Sequence, residues 1–503
     1  MENNNEKKQE VSKTKKKEKK PKNRFSVGIG SIIVMLITLA VEALFIVMLM
    51  TLNILPFMYL AILIAVLVLI DLGLFFMVRK SRKGSSKRLA ATIIMVLVAI
   101  VMIMGCFYML NTFDTFKKIS SDGRQLEKFH VVVLVDSKYE AIEDIEGQEV
   151  YALDTQSKTY AEAKERLLTK VEVKYMTAAN VTAAGHQLID KDGKTHDEII
   201  LVSDSNYEML CENNKGFRKN TKFLYTISVA SKTNDFAKRI DVTEDPFNIY
   251  ISGVDTRGSI EDVCRSDVNM IVTVNPETRQ VLLTSMPRDS YVELASVGMM
   301  DKLTHTGIYG IEETIATVEN WLDVEINYYY RVNFKMLVDL IDALGGVTVD
   351  IPKGFESTYW DYSFKTGENQ LDGKAALAFV RERKTFEDED EERIKNQQRV
   401  MKAILKKATN SKVILTNYTD LLNAVEGSMQ TNMSNKDITA IVKMQLKDMD
   451  TGWTIKSIAV DGKDAELGTY SMGPGRPLFV SVPKEKSVEE VKKRIHEVMY
   501  PVE

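Results

Sequence analysis

Residues 379–398 read FVRERKTFEDEDEERIKNQQ. Arg381 and Arg383 stand two apart at the end of an apolar run, Ala375–Val380. Read as a strand, the run points residues i and i+2 to one face, so both guanidiniums reach one ligand. Read as a short helix, it starts at Asp372, a residue type that caps helix N-termini. Downstream, Asp390 leads into a helical pattern with Arg393 and Gln397 at i, i+4 on one face. Three arginines, a carboxamide and an acidic run (Glu387–Glu392) suit a multiply charged anion with a metal. Taken alone, the stretch reads better as a solvated strand end before a charged helix. The sequence upstream reverses that preference.

From Phe247 onward, three apolar runs end in, or begin from, polar clusters. Phe247–Asp255 closes on Gly253 and Asp255, Val268–Val274 follows Arg265-Ser-Asp267, and Gln280–Asp289 closes on Pro287-Arg288-Asp289. Near-continuous apolar runs predict central strands covered on both faces. In open α/β sheets ligands gather outside strand ends. Asp255 and Asp267 then suit Mg²⁺, which takes one or two carboxylates beside substrate phosphates. Arg265, Arg288, Arg381 and Arg383 suit phosphate oxygens held by paired N–H bonds. Phosphoryl transfer needs mostly such positioning and charge neutralisation. For each residue singly a structural role stands level: Asp255 and Asp267 as turn caps, Arg265 as a partner of Asp262.

Helical stripes lie between these clusters. Ile311, Ile315, Val318 and Leu322 form one, and Phe334, Leu337, Val338, Ile341 and Leu344 form another, stopped by Gly345-Gly346. No GxSxG elbow surrounds Ser285, and no GxxxxGK[ST] loop occurs. His305, alone at a helix entrance, reads as structural. Tyr328–Tyr330 and Trp360 read as core or rim.

The first 110 residues hold 16 lysines and arginines against six acidic residues; the remainder holds 50 against 64. An acidic body argues against nucleic acid as a partner. Met1–Arg24 is Lys-rich, without apolar residues to nucleate a core, and is expected to be disordered. Three apolar runs follow, about Val27–Met50, Phe57–Val78 and Leu89–Leu110, each beyond the ~18 residues of a membrane-spanning helix. The basic tail and the basic Arg79–Arg88 segment belong in the cytoplasm by the positive-inside rule, so three spans leave the rest outside. Glu42 and Asp71 fall within or near the spans and are assigned no role. Cys106, Cys211 and Cys264 show no zinc spacing, and free thiols are expected rather than a Cys211–Cys264 bridge.

Phe129–Arg239 alternates strand-like segments (His130–Val135, Glu149–Leu153, Ile199–Val202, Phe223–Val229) with a helical one near Tyr160–Thr169. It reads as a small α/β accessory domain without a catalytic constellation. The expected organisation is a tail (1–24), three spans (25–110), an extracellular accessory domain (111–240) and an extracellular α/β domain (241–503).

Taken in order, Gly253-Val-Asp255, Arg265-Ser-Asp267, Pro287-Arg288-Asp289, Asp301-Lys302-Leu303, Asp342–Val347 and Arg381-Glu-Arg383 resemble the motifs of the LytR-CpsA-Psr (LCP) family. Asp390, Arg393 and Gln397-Gln398 match its closing D-x-x-R-x-x-R-Q-Q pattern, with Asn396 where that pattern has Arg. The resemblance covers roughly Phe247–Leu405, and the spans plus an intervening module look like the CpsA-type, capsule-associated branch. It implies an LCP-type α/β domain with a central mixed sheet covered by helices. It also implies transfer of a polyprenyl-pyrophosphate-linked glycan onto peptidoglycan, with release of polyprenyl phosphate, and an apolar tunnel for the prenyl chain. Mg²⁺ (or Mn²⁺) at Asp255 and Asp267 is implied, with Arg265, Arg288, Lys302, Arg381, Arg383 and Gln397 on the pyrophosphate. Arg288, Asp289, Arg393 and Asp390 are the implied catalytic set, Asp289 and Asp390 being the candidates for the base.

The expected protein is a membrane-anchored phosphotransferase, with the membrane, the lipid-linked glycan, peptidoglycan and other capsule-assembly membrane proteins as partners. Two rivals stand beside it: a polyprenyl-pyrophosphate hydrolase using the same residues, and a non-enzymatic scaffold that binds the lipid carrier.

Overall fold

The computed structural model describes residues 29–81, 85–119, 124–153, 155, 157–232, 235–254, 259–358, 360–386, 389–409, 413, 417–447 and 451–501. The basic tail and Asp255 lie outside the described residues. The chain forms two compact units, one of residues 1–51 and 57–107, the other of 52–56 and 108–503.

The first unit contains α1 (Ile29–Leu52), α2 (Phe57–Lys80) and most of α3 (Ser86–Ile119). All three are strongly apolar along most of their length. At ~1.5 Å per residue each helix exceeds the roughly 30 Å of a bilayer core. A thin seam of Leu74, Val78, Ala91 and Met95 is buried, while apolar side chains such as Ile37, Leu69 and Phe107 face outward. A helix apolar on all sides is a membrane span rather than an amphipathic surface helix. The helices are thus long and apolar enough to anchor the chain in a membrane. The third is longer than the sequence predicts.

The second unit holds two sheets. The first comprises β1 (Arg124–Leu134), β2 (Glu149–Leu153), β3 (Lys174–Ala178), β4 (Ile200–Ser203) and β5 (Thr221–Lys232), in the order β3-β2-β4-β1-β5. Phe129, Val131 and Val133 of β1 pack beneath α4 (Lys158–Leu168), whereas Val132 and Leu134 face α5 (Val181–His186) and α6 (Asp204–Asn213). Alternate side chains thus enter different cores, which is why the run is apolar at every position.

The second sheet is mixed and central. Its strands are β6 (Phe247–Val254), β7 (Ser266–Asn275), β8 (Gln280–Met286), β9 (Tyr328–Asn333), β10 (Met429–Thr431) and β11 (Thr454–Ala459), in the order β10-β9-β6-β7-β8-β11. β6, β7 and β8 form an antiparallel meander, with β9 parallel to β6 and β11 parallel to β8. One face packs Tyr250, Ile271 and Leu282 against the Ile311–Leu322 and Glu485–Met499 helices. The other packs Met270, Val272 and Leu283 against Met401 and Leu405 of the Glu389–Ala408 helix.

Two expectations are corrected. Ala375–Val380 is helical, within the helix Gly373–Arg381, so Arg381 and Arg383 do not share a strand face. Asp372 caps this helix, accepting a hydrogen bond from Ala375 N at 2.8 Å. The acidic run Glu387–Glu392, which read as part of an anion and metal site, is helical from Glu389 and gives Asp390 to the cluster described below. The three cysteines are free thiols, as expected.

Candidate functional site

Four segments bring the charged residues together, and each is fixed by its own local device. Asp267 sits at the start of β7, and Arg288 follows the end of β8. Arg288 Nη1 donates to Asp267 Oδ1 at 2.7 Å, and its Nε lies 3.5 Å from Asp289 Oδ2. Asp289 also accepts from Lys302 Nζ at 2.8 Å.

Arg381 is set by helix packing. Asp342 accepts from Gly373 N at 2.7 Å, tying the helix Gly373–Arg381 to the Phe334–Ala343 helix. A Cβ at Gly373 would lie 2.2 Å from Val338 O, so only glycine allows this approach. The helix ends at Arg381, whose guanidinium lies 4.9 Å from the Phe334 ring and 5.9 Å from the Trp360 ring. Glu382 then turns inward and is fully buried, accepting from Thr358 N at 2.6 Å and from the hydroxyls of Ser357 and Thr358. This buried acid holds the arginines on either side of it. Arg383 Nε donates to Glu389 at 3.0 Å.

The first turns of the Glu389–Ala408 helix supply Asp390, Arg393 and Gln397. Asp390 Oδ1 lies 2.9 Å from Arg393 Nη2 and 3.8 Å from Arg383 Nη1. Gln398 faces away and bolts the helix to the sheet, donating to Ser285 Oγ at 3.0 Å and Ile458 O at 2.7 Å. Asn396 is buried, accepts from Arg399 at 2.6 Å and does not line the cavity described next.

That cavity has a volume of about 260 Å³. Asp267, Arg288, Arg381, Arg383 and Arg393 form its charged part, with the Gln397 carboxamide beside them. The remainder is apolar, built by Ile251, Val268, Leu337, Val400, Met401 and Ile404. Burial lowers the proton affinity of Arg393; Asp390 opposes this, and nearby Arg288 adds to it, leaving the guanidinium below its usual range. Burial also works against charge on Arg288, but Asp267 and Asp289 outweigh it and hold Arg288 above the usual range. Arg288 Nε and Arg393 Nε are buried without a hydrogen-bond partner among the described residues. Buried polar atoms are rarely left so, and crowded cations with unused donors call for an anion.

Arg265 stands apart from this cluster. It pairs not with Asp262 but with Glu212 of α6, while Asp262 takes Lys128 at 2.7 Å. It lines a separate small pocket with Lys302, Asp289 and His305. Among the described residues no three His, Cys, Asp or Glu side chains gather as a metal cage. Asp267 nevertheless fits the Mg²⁺ pattern of one protein carboxylate beside phosphate-binding arginines, and its Oδ2 makes no hydrogen bond among the described residues. Sequence reasoning missed Glu212, Phe334 and Glu382, and dismissed His305 and Trp360.

A mixed sheet whose strand ends carry an arginine-rich, half-apolar cavity defines an α/β domain with a charged and an apolar part to its site. The chain belongs to the LytR_cpsA_psr family, whose profile matches residues 211–493. The polyisoprenyl-teichoic acid–peptidoglycan teichoic acid transferase TagU of Bacillus licheniformis is 39% identical over 209 residues, 41% of this chain and 66% of that protein. The chain therefore spans just under two thirds of that relative's length. TagU of Bacillus mycoides is 38% identical over 227 residues, 45% of this chain and 73% of that protein. The crystal structure of B. subtilis TagU shares 30% identity at a TM-score of 0.40, covering 52% of this chain and 99% of that one.

Proposed function

We propose that this protein is a membrane-anchored phosphotransferase. It moves a polyprenyl-pyrophosphate-linked glycan, capsular polysaccharide or another anionic wall polymer, onto peptidoglycan through a phosphodiester. The observation that carries this reading is the single cavity in which Arg288, Arg381, Arg383 and Arg393 adjoin an apolar wall. A pyrophosphate bearing a prenyl chain satisfies both parts at once, since the diphosphate meets the arginines and the chain meets Leu337, Met401 and Ile404. The names of the relatives, transferases acting on polyisoprenyl-linked teichoic acid and peptidoglycan, support it. The basic segment at 79–88 and the Lys-rich tail favour a cytoplasmic tail with the second unit outside.

In this reading Arg381 and Arg383 grip the diphosphate from one side, and Arg288 and Arg393 from the other. Burial makes each contact stronger than it is in water, because little solvent screens it. Asp289 and Asp390 keep the cations ionised and aimed. Asp267, with Asp255, would hold Mg²⁺, which when bound neutralises charge on the departing phosphate. The apolar wall excludes water, so the phosphoryl group meets the acceptor rather than being hydrolysed.

The test uses the full-length protein in detergent with a polyprenyl-pyrophosphate glycan, peptidoglycan and Mg²⁺. Glycan–peptidoglycan product is expected, with Arg381→Ala and Arg383→Ala each lowering its rate at least tenfold. Variants that transfer as well as wild type would show the clamp to be misassigned. Phosphate release without acceptor product would identify a hydrolase instead.

A further inference from the structure

Arg288 is a wall shared by two cavities. Besides the large cavity, it lines a pocket of about 60 Å³, together with Glu212, Arg265, Asp289, Lys302 and His305 among others. The pocket is small, with room for a few waters or for the end of a side group such as a hydroxymethyl.

We propose that this pocket receives the acceptor hydroxyl and that His305, held by Asp301, is the general base that takes its proton. The inference rests on the transferase reading and adds what that reading lacks, an acceptor side. In phosphoryl transfer the attacking and leaving oxygens lie roughly in line through phosphorus. If polyprenyl phosphate departs into the apolar cavity, the nucleophile arrives from the opposite side of the phosphorus that Arg288 grips.

Three groups in the small pocket could in principle accept a proton. Glu212 has both oxygens on Arg265, at 2.6 Å each. Asp289 is tied to Lys302 and Arg288; these outweigh its burial and hold it below the usual carboxylate range. His305 differs. Its Nδ1 lies 2.6 Å from Oδ1 of Asp301, a carboxylate that is 0% exposed. The other oxygen of Asp301 accepts from Ser471 N at 2.8 Å and from the Ser471 hydroxyl. Asp301 is thus fixed from two sides and accepts a hydrogen bond from Nδ1–H of His305, the tautomer that leaves the lone pair on Nε2. Among the described residues nothing hydrogen-bonds Nε2. His305 is also rigidly joined to the arginine, since Thr304 N donates to Arg288 O at 2.8 Å and Leu303 N to Ser290 O at 2.8 Å.

The step balances. The acceptor oxygen bonds to phosphorus while its proton passes to Nε2. The bond from phosphorus to the bridging oxygen breaks, and that oxygen keeps the electron pair as polyprenyl phosphate leaves. The imidazolium returns its proton to water. His305 is the catalytic residue here and Asp301 a positioning residue.

The experiment uses the full-length protein in detergent, a short-chain polyprenyl-pyrophosphate glycan and peptidoglycan fragments, with donor binding measured separately by fluorescence. His305→Ala is expected to lower kcat by roughly 10²–10⁴-fold, the usual contribution of a positioned base. Donor Kd should stay within about twofold, and added imidazole should restore part of the rate. Asp301→Asn should lower kcat without moving donor Kd, with Asp301→Glu partly restoring it. Should His305→Ala prove unstable, His305→Gln, checked by thermal melting, carries the same expectation except for imidazole rescue. Transfer within threefold of wild type by a folded His305 variant overturns the inference. So does a loss of donor binding in step with transfer, or a loss in His305→Ala that imidazole leaves untouched. A wild type that binds donor yet transfers nothing overturns the transferase reading, and this inference with it.

Discussion

Glu212, at the end of a helix on the five-stranded sheet, closes both carboxylate oxygens on the guanidinium of Arg265, beside the six-stranded one. An arginine beside the six-stranded sheet is therefore aimed by a residue from the five-stranded one. Burial alone would weaken the charge on Arg265, but Glu212 outweighs it. The pair is part-exposed, so its contribution to stability is small, at most about 1 kcal/mol. Its effect should instead appear in recognition. Glu212→Ala is expected to raise the acceptor KM several-fold while donor Kd and melting temperature barely move. Steady-state kinetics with varied peptidoglycan concentration check this.

Leu337 sits on the apolar wall of the large cavity. Leu337→Trp places a larger side chain in that space. A long-chain donor should bind about tenfold more weakly, roughly 1.4 kcal/mol. Inorganic pyrophosphate, which has no chain to accommodate, should bind as before. Calorimetry with the two ligands separates the outcomes; equal losses for both would show that the wall does not face the lipid.

The crowded arginines predict that an anion stabilises the fold. Donor at 100 times its Kd should add about 2.7 kcal/mol, visible as a raised melting temperature. Arg393→Ala should abolish most of that rise. It removes a cation whose Nε has no hydrogen-bond partner among the described residues.

Chelation by EDTA is expected to stop transfer, and Mg²⁺ to restore it. Asp267→Asn should need more Mg²⁺ for half-maximal rate. A rate indifferent to EDTA would remove the metal from the reading and leave the arginines to neutralise the charge.

Glu127, on β1, gives a pH effect remote from the site. Burial pushes its carboxyl up to about 7, against the opposing hydrogen bond from Thr159. The folded state thus holds a proton that the unfolded chain releases near pH 4.3. That stabilisation is complete below the unfolded value and is lost as pH rises through about 7. Glu127→Gln should flatten the decline in melting temperature between about pH 4.5 and 7.

Much of this arrangement is readable from residues alone, and the exceptions have physical causes. The central strands announce themselves because both faces are covered, so each run is apolar throughout. Arg381 and Arg383 invite a strand reading because a six-residue apolar run fits either period. Asp372 and Gly373 are the local signals that decide for a helix. β3 went unpredicted because Lys174–Ala178 is an edge strand with mostly exposed side chains. Glu212 could not be found, since its partner lies 53 positions away in another layer. Asp301 and His305 were findable: they stand only four apart, at a strand end and in the helix that follows it, but the histidine looked solitary. Asn396, which stands where the family pattern has Arg, turns its side chain into the protein.

The inward turn of Glu382 has a bearing on how the site lets go. With that carboxylate anchored between them, the backbone that carries Arg381 and Arg383 is held in place. If both arginines take the ligand, as proposed, they would respond to the span between its charges as well as to their number. A diphosphate would then reach both, and a lone phosphate one. Discrimination between what arrives and what departs would then be a matter of length, written into the backbone by one acid that never meets the substrate.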